Sequence, residues 1–227
     1  ICLPGRSSEM IKKDVVIIGG GPAGLSAALE LYELGVKDIV ILEKDDELGG
    51  ILKQCIHDGF GQERFGELLT GPEYAYRFTE RVYRQGIEFH LLTTVTDIDT
   101  VCETKGITDK VVTAVSRDGI LRYRAKAVLF TLGCRERARG ALAIPGNRPA
   151  GVYTAGVAQA YINLKNTMVG NRIVILGSGD IGMIMARRLT LEGATVLGVY
   201  EILPYASGLP RNVVQCLNDF DIPLILG

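Results

Sequence analysis

The chain has 227 residues, 47% of them hydrophobic, with 25 Lys+Arg against 26 Asp+Glu. That length and hydrophobic content suit one large domain or two small ones with real cores. The even charge balance supplies no field to attract nucleic acid, and no apolar run approaches the ~20 residues of a membrane span.

Residues 1–9 hold Pro4, Gly5, Ser7 and Ser8 but no apolar stretch. They read as a leader or upstream remnant ahead of Met10 rather than a secretory signal. The run Asp14-Val15-Val16-Ile17-Ile18 is a strand, and it leads into Gly19, Gly21 and Gly24, the G-x-G-x-x-G spacing. Gly19 lets the chain turn off the strand, Gly21 leaves room for a pyrophosphate, and Gly24 lets helix and strand pack closely. A helix follows to about residue 34, with Leu25, Ala28, Leu29 and Tyr32 in helical spacing and Gly35 as its stop. Its unpaired N–H groups and positive dipole end point at the phosphate position. A second strand over 36–42 ends at Glu43, 24 residues past Gly19, where a ribose hydroxyl needs an acceptor.

Lys44-Asp45-Asp46-Glu47 is a solvated charge run, and Leu48-Gly49-Gly50 follows it. Segment 51–66 contains Lys53, Gln54, Cys55 and His57 and reads as a covering loop. Gly71-Pro72 opens a helix that runs to about residue 85 and stops at Gly86. A strand is expected over 87–96, then a small antiparallel meander over 97–124 with turns at Lys105-Gly106 and Asp118-Gly119. Residues 127–132 return as a parallel strand ending in Thr131-Leu132-Gly133-Cys134. Residues 135–139 are basic with one acid, read either as a solvated loop or as a phosphate or partner contact. Turn chemistry at Ile144-Pro145-Gly146 and Arg148-Pro149 marks the expected boundary between domains 10–146 and 147–227.

The opening pattern then repeats: a strand over 172–176, glycines at 177, 179 and 182, a helix over 180–191, Gly193, a strand over 194–200, and Glu201. The acid again lies 24 residues past the first glycine, and the copies are offset by 158. Residues 222–227 look like the start of another strand. A nucleotide-binding half needs further strands to close its sheet, so the second domain is expected to be incomplete.

Two adjacent dinucleotide fingerprints imply hydride traffic between two cofactors, a flavin and a nicotinamide. The order of fingerprint, meander, Thr131-Leu132-Gly133, linker and second fingerprint resembles the pyridine nucleotide–disulfide oxidoreductase superfamily, the two-dinucleotide-binding-domain flavoproteins, over residues 14–227. The runs Gln54-Cys55-Ile56-His57-Asp58-Gly59-Phe60-Gly61, Gly133-Cys134-Arg135-Glu136-Arg137, Gly151-Val152-Tyr153-Thr154-Ala155-Gly156 and Gly177-Ser178-Gly179-Asp180-Ile181-Gly182 are similar to a bacterial subgroup. Its members are FAD/NAD(P)-dependent subunits working beside a second flavoprotein that resembles anaerobic glycerol-3-phosphate dehydrogenase. Relatives include subunits of opine oxidase, hydrogen cyanide synthase and dye-linked proline dehydrogenase. The resemblance implies an α/β fold: a three-layer Rossmann-like FAD domain with a small meander, then a Rossmann-like NAD domain. It places Gly19, Gly21, Pro22, Ala23 and Gly24 on the FAD pyrophosphate and Glu43 on its ribose. Backbone near Val95 meets the adenine, Gly133 approaches the flavin, and Lys44 and Gly50 complete the FAD set. Gly177, Gly179, Asp180 and Ile181 cradle the NAD pyrophosphate, with Glu201 on the ribose. An acid there repels a 2′-phosphate, so NAD is favoured over NADP. The expected partner is the second flavoprotein subunit, resembling glycerol-3-phosphate dehydrogenase or an amino-acid or opine oxidase; a homo-oligomer is left open.

The departures bear on chemistry. The five cysteines, Cys2, Cys55, Cys102, Cys134 and Cys216, are scattered, odd in number and never in C-x-x-C spacing. With only two histidines, this argues for a cytoplasmic protein with no disulfide framework and no metal site. The redox cysteine pair of disulfide reductases has no residues to run on, and Ile184 stands where many relatives place a glutamate near the nicotinamide. Cys55 with His57 remains as a candidate catalytic pair. It reads either as a thiolate beside the flavin tuned by a histidine, which would make a single-cysteine disulfide, persulfide or peroxide reductase, or as a packed cysteine in a covering loop. Cys134 reads as a small buried thiol, His90 as structural, and Met183 and Met185 as core. The expected activity is hydride or electron transfer between NAD(H) and FAD. A non-catalytic or truncated nucleotide-binding subunit is the rival from another class.

Overall fold

Strands β1 (Met10–Ile18) and β2 (Ile39–Leu42) end in the unbroken apolar runs Val15-Val16-Ile17-Ile18 and Ile39-Val40-Ile41-Leu42. Such runs do not alternate because both faces of the strand are covered. On one face Val15, Ile17, Ile39 and Ile41 pack with Leu25, Ala28 and Leu29 of helix α1 (Pro22–Glu33). Phe78 and Val82 of α3 (Gly71–Gln85) join the same cluster. On the other face Val16, Ile18, Val40 and Leu42 meet Val112, Ala114, Tyr123 and Ala125. Each buried Val, Ile, Leu or Phe among them contributes about 1.5–3 kcal/mol of transfer free energy.

The structure, a computed structural model, describes residues 10–102, 108–147 and 149–227. The leader assigned to 1–9, the turn expected at Lys105-Gly106 and Arg148 of the linker lie outside the described residues. The chain divides into two compact units after Cys134. The linker chemistry around 144–149 falls in the first part of the second unit.

In the first unit, segment 51–70 resolves into short pieces. A 3₁₀ turn (Gly50–Gln54) is followed by β3 (Asp58–Phe60), α2 (Gln62–Phe65) and β4 (Leu69–Thr70), with β3 antiparallel to β4. The main sheet runs β5-β2-β1-β8-β7-β6, with β5 (Glu88–His90), β6 (Thr94–Cys102), β7 (Thr108–Ser116) and β8 (Gly119–Phe130). Its β5-β2-β1 part is parallel and β6-β7-β8 is the antiparallel meander. Two expectations change. The strand expected over 87–96 breaks in two at Leu91–Thr93 because Leu92 turns left-handed (φ 51°), its N–H donating to Asp45 O (2.9 Å). The parallel strand expected over 127–132 stops at Phe130 and is the end of β8, which pairs antiparallel with β7 near its start and parallel with β1 from Arg122 to Phe130.

In the second unit β9 (Arg172–Leu176), β10 (Thr195–Glu201) and β11 (Leu224–Leu226) form a parallel sheet of order β11-β10-β9. This is the same order as β5-β2-β1. Helix α5 (Asp180–Leu191) supplies buried Met183, Met185, Ala186 and Leu189 to its core. Helices α4 (Ala155–Lys165) and α6 (Pro210–Cys216) complete it. Helix α4 shows no clear amphipathic stripe in the sequence, because its apolar residues lie all round it: Ala158 and Ile162 are buried while Val157, Tyr161 and Leu164 are exposed.

Candidate functional site

The glycine turn of the first unit is built by contact with the end of β8. Gly19 has φ 108°, and a Cβ there would fall onto the Thr131 carbonyl oxygen. The Thr131 hydroxyl donates to Ile18 O and Gly19 O, both at 2.9 Å, and its N–H donates to Ile18 O at 3.0 Å. A Cβ on Gly24 would overlap Gly19 O and come 2.8 Å from the Thr131 hydroxyl. Gly21 is different: among the described residues the nearest atom to a Cβ there is Gly50 Cα at 3.9 Å, and at Gly133 (φ 67°) none lies within 4 Å. Gly19 and Gly24 are therefore fixed by packing, while Gly21 and Gly133 border open space.

Helix α1 begins at this turn with Gly21 as N-cap, Pro22 at the first position, no side-chain cap and no acid in its first turn. Two other helices cap themselves: α3 has the reciprocal Thr70–Glu73 box and α4 is capped by Thr154. The unspent first-turn N–H groups of α1, including those of Ala23 and Gly24, fit a pyrophosphate.

Glu43 is buried (5% exposed) at the end of β2. Its Oε2 accepts from the Gly20 amide at 2.6 Å and its Oε1 from the Asp45 amide at 2.9 Å. The loop after β2 closes back on the turn: Gly49 N–H donates to Gly20 O (2.8 Å), and a Cβ on Gly50 (φ 58°) would meet Gly21 Cα at 2.9 Å. Thr93 N–H donates to Glu43 O at 2.8 Å, bringing the start of β6, and Val95 opposite Ala114, to the same end of the sheet. Lys44 is exposed and pairs with Asp45 at 3.0 Å.

The second unit repeats this at a constant offset. Gly177 N–H donates to Tyr200 O (2.7 Å) as Gly19 N–H donates to Leu42 O (2.8 Å). Ser178 N–H donates to Glu201 Oε2 (3.0 Å) and Leu203 N–H to Glu201 Oε1 (3.1 Å), matching the two amides on Glu43. Helix α5, N-capped by Gly179, likewise lacks a side-chain cap hydrogen bond. Three differences stand out. Among the described residues no atom lies within 4 Å of a Cβ at Gly177, where Gly19 meets Thr131. Asp180 replaces Pro22, and its carboxylate accepts from Leu209 N and Asn212 Nδ2, both at 2.7 Å. Its side chain is thus committed to the start of α6 rather than to the first turn of α5, where Ile181 is exposed. Ile184 packs against the second core.

Hydrogen bonds from the Ser178 hydroxyl and amide, the Leu203 amide and the Ser207 hydroxyl hold the Glu201 carboxyl down at about 2, from an ordinary 4.5. A group depressed in the folded state stabilises fully above its unfolded value and loses that contribution as pH falls through the folded one. The stability gap between wild type and Glu201→Gln is therefore expected to be full above pH 4.5 and to close between pH 4.5 and about 2. Urea unfolding of both proteins across that range checks it; a gap independent of pH would mean that the carboxylate is not held ionised.

Cys55 is half-buried and its Sγ donates to Ile51 O at 3.4 Å. Burial pushes the thiol up, away from thiolate character. His57 is directed to the Asp58 carbonyl through Nδ1 (2.8 Å) and lies tilted against Phe60, ring centroids 5.3 Å apart. Cys134, expected to be buried, is exposed beside Gly133, because the chain leaves the sheet after Phe130. His90 pairs with Glu88 at 3.0 Å, and Met183 and Met185 are buried. Among the described residues no cluster of side chains could hold a metal ion, and no helix is long and apolar enough to cross a membrane. Sequence reasoning missed Thr131 as the brace of the first turn and Ser178, Ser207 and Asn212 in the second. The one available signal was that Ser178 breaks the glycine run that Gly20 continues.

Residues 13–218 match the family model described as pyridine nucleotide-disulphide oxidoreductase. An opine oxidase subunit of Agrobacterium tumefaciens is 26% identical over 208 residues, covering 90% of this chain and 40% of the relative. NAD(P)H sulfur oxidoreductase (CoA-dependent) of Pyrococcus abyssi is 29% identical over 192 residues, covering 82% and 39%. Among solved structures, bacillithiol disulfide reductase Bdr from Bacillus cereus shares the fold with a TM-score of 0.70 at 20% identity, over 95% of this chain and 68% of that one. The chain thus spans about two fifths of the length of these curated relatives. A match that takes in both glycine turns and both acids leaves one conclusion: the chain belongs to the pyridine nucleotide-disulphide oxidoreductase family.

Proposed function

We propose that the first unit holds FAD and the second NAD(H), and that the protein passes hydride between them, its other electron partner residing on a separate flavoprotein subunit. The observation that carries this is the repeated uncapped helix: α1 and α5 each follow a glycine turn and lack a side-chain cap hydrogen bond, and each turn amide grips an acid at the end of the neighbouring strand. In this reading 10–146 is the FAD domain and 147–227 the NAD domain. Gly19, Gly21, Pro22, Ala23 and Gly24 serve the FAD pyrophosphate, Glu43 its ribose, Val95 the adenine, and Lys44, Gly50 and Gly133 the rest of the cofactor. Gly177, Gly179, the backbone of Asp180 and Ile181, and Glu201 serve NAD, and the acid at 201 disfavours a 2′-phosphate. Bound flavin would supply reversible hydride acceptance; the chain's own residues bind, orient and exclude water. The reading of this chain as one member of a larger complex draws support from the opine oxidase relative, which is itself named as a subunit.

The test is anaerobic mixing of NADH with the FAD-reconstituted protein. Bleaching of the flavin absorbance is expected, and protein that stays colourless after reconstitution, or stays oxidised with NADH, overturns the proposal. Cys55→Ser is expected to leave NADH-dependent reduction of an artificial acceptor unchanged, since the thiol is held away from thiolate character. Loss of that turnover would favour the single-cysteine reductase instead.

A further inference from the structure

The two acids of the repeat are held differently. In the first unit hydrocarbon lies over the turn: a Cβ on Gly20 would come 2.5 Å from Leu48 Cδ2. In the second unit Ser178 takes that position, fully buried, and Ser207 faces it. Ser178 Oγ donates to Glu201 Oε2 at 2.7 Å, Ser207 Oγ donates to the same oxygen at 2.9 Å, and the two hydroxyl oxygens are 3.2 Å apart. Ser207 N–H donates back to Ser178 Oγ at 2.9 Å. Together with the Ser178 amide, three donors converge on Oε2, whereas among the described residues Oε1 takes the Leu203 amide alone. Glu43 has one donor on each oxygen.

A carboxylate offers about four lone-pair sites, two on each oxygen. Oε2 of Glu201 is filled, and Oε1 keeps capacity for one more donor. The side chain cannot turn aside without giving up several hydrogen bonds to a charged acceptor. We propose that Ser178 and Ser207 are specificity-determining positioning residues of the second dinucleotide site. They clamp Glu201 in one orientation, so that Oε1 accepts a ribose hydroxyl and a ribose 2′-phosphate is turned away. A free glutamate could swing out to admit the phosphate at little cost; a clamped one meets it as a fixed like charge. This rests on reading the second unit as the nicotinamide site, and it goes beyond the presence of the acid, since it assigns the discrimination to two hydroxyls that need not touch the ligand.

The experiment measures equilibrium binding of NADH and of NADPH to the full chain, wild type against Ser207→Ala and Ser178→Ala, with circular dichroism to follow folding. Ser207 is exposed, so its variant keeps the test alive if the buried Ser178 variant misfolds. Wild type is expected to prefer NADH. Each variant is expected to hold NADH within about threefold of wild type while the NADH-to-NADPH preference falls about tenfold. An unchanged preference, or equal weakening toward both dinucleotides, overturns the clamp. So does a wild type indifferent to the 2′-phosphate, although that outcome leaves the nucleotide site standing. Binding of neither dinucleotide by wild type removes the nicotinamide site and the clamp with it.

Discussion

Replacing Gly24 by alanine is expected to lower the unfolding free energy of the first unit by about 3 kcal/mol or more and to empty it of flavin. The added Cβ would overlap the Gly19 carbonyl oxygen and press on the Thr131 hydroxyl, so neither neighbour is the far end of a flexible side chain. Helix α1 has to back away from β1, and the turn it caps opens. The second unit carries the control. A Cβ on Gly182 would meet Gly177 O at 2.8 Å and Ile175 Cγ2 at 3.4 Å, with no threonine brace behind them. Gly182→Ala is therefore expected to cost about 1 kcal/mol, at the mild end of overpacking. Urea midpoints of the two variants, with flavin content for the first, check the order; equal costs would mean that the brace from Thr131 adds nothing to the packing of the turn.

The second large effect is expected at Glu43. Its two oxygens satisfy the Gly20 and Asp45 amides inside a site that is 5% exposed. Glu43→Gln keeps the shape but turns an NH₂ group toward one of those N–H donors. A lost charge-assisted bond together with a buried unpaired donor is expected to cost about 2–4 kcal/mol. In the proposed reading, where Glu43 accepts from the FAD ribose, the glutamine is a weaker acceptor, so flavin retention is expected to fall along with stability. Denaturant unfolding with and without added FAD separates the two. A variant within about 0.5 kcal/mol of wild type would show that the acid is not structural.

Both glycine turns and both acids were legible because their chemistry is local. A Gly after an apolar run, further glycines two and five residues on and an acid at the next strand end are set by chain geometry within about 25 residues. The doubly covered strands were legible for a similar reason, since Val15-Val16-Ile17-Ile18 shows no alternation. What was not legible depends on distant partners. Thr131 braces Gly19 from 112 residues away. Residues 127–132 have the pattern of a separate strand, and only the pairing of Arg122 through Phe130 with β1 makes 127–130 the end of β8. Cys134 has the composition of a buried thiol, yet its burial depends on what lies beyond the strand end. Nothing near Asp180 in the sequence shows that its carboxylate is bonded to Leu209 and Asn212, far along the chain.

The double duty of β8 has a mechanical consequence. Twelve residues of extended chain, about 40 Å at ~3.3 Å per residue, join the tip of the β7–β8 hairpin to the threonine that seats the first glycine turn. Along that length β8 is bonded on one side or the other, and the two ladders overlap between Arg122 and Ala125, leaving no hinge between them. The strand is a stiff rod with a handle at Gly119 and a latch at Thr131. The meander and the first glycine turn are thus one mechanical piece: where β8 lies fixes where Thr131, and with it Gly19, is held.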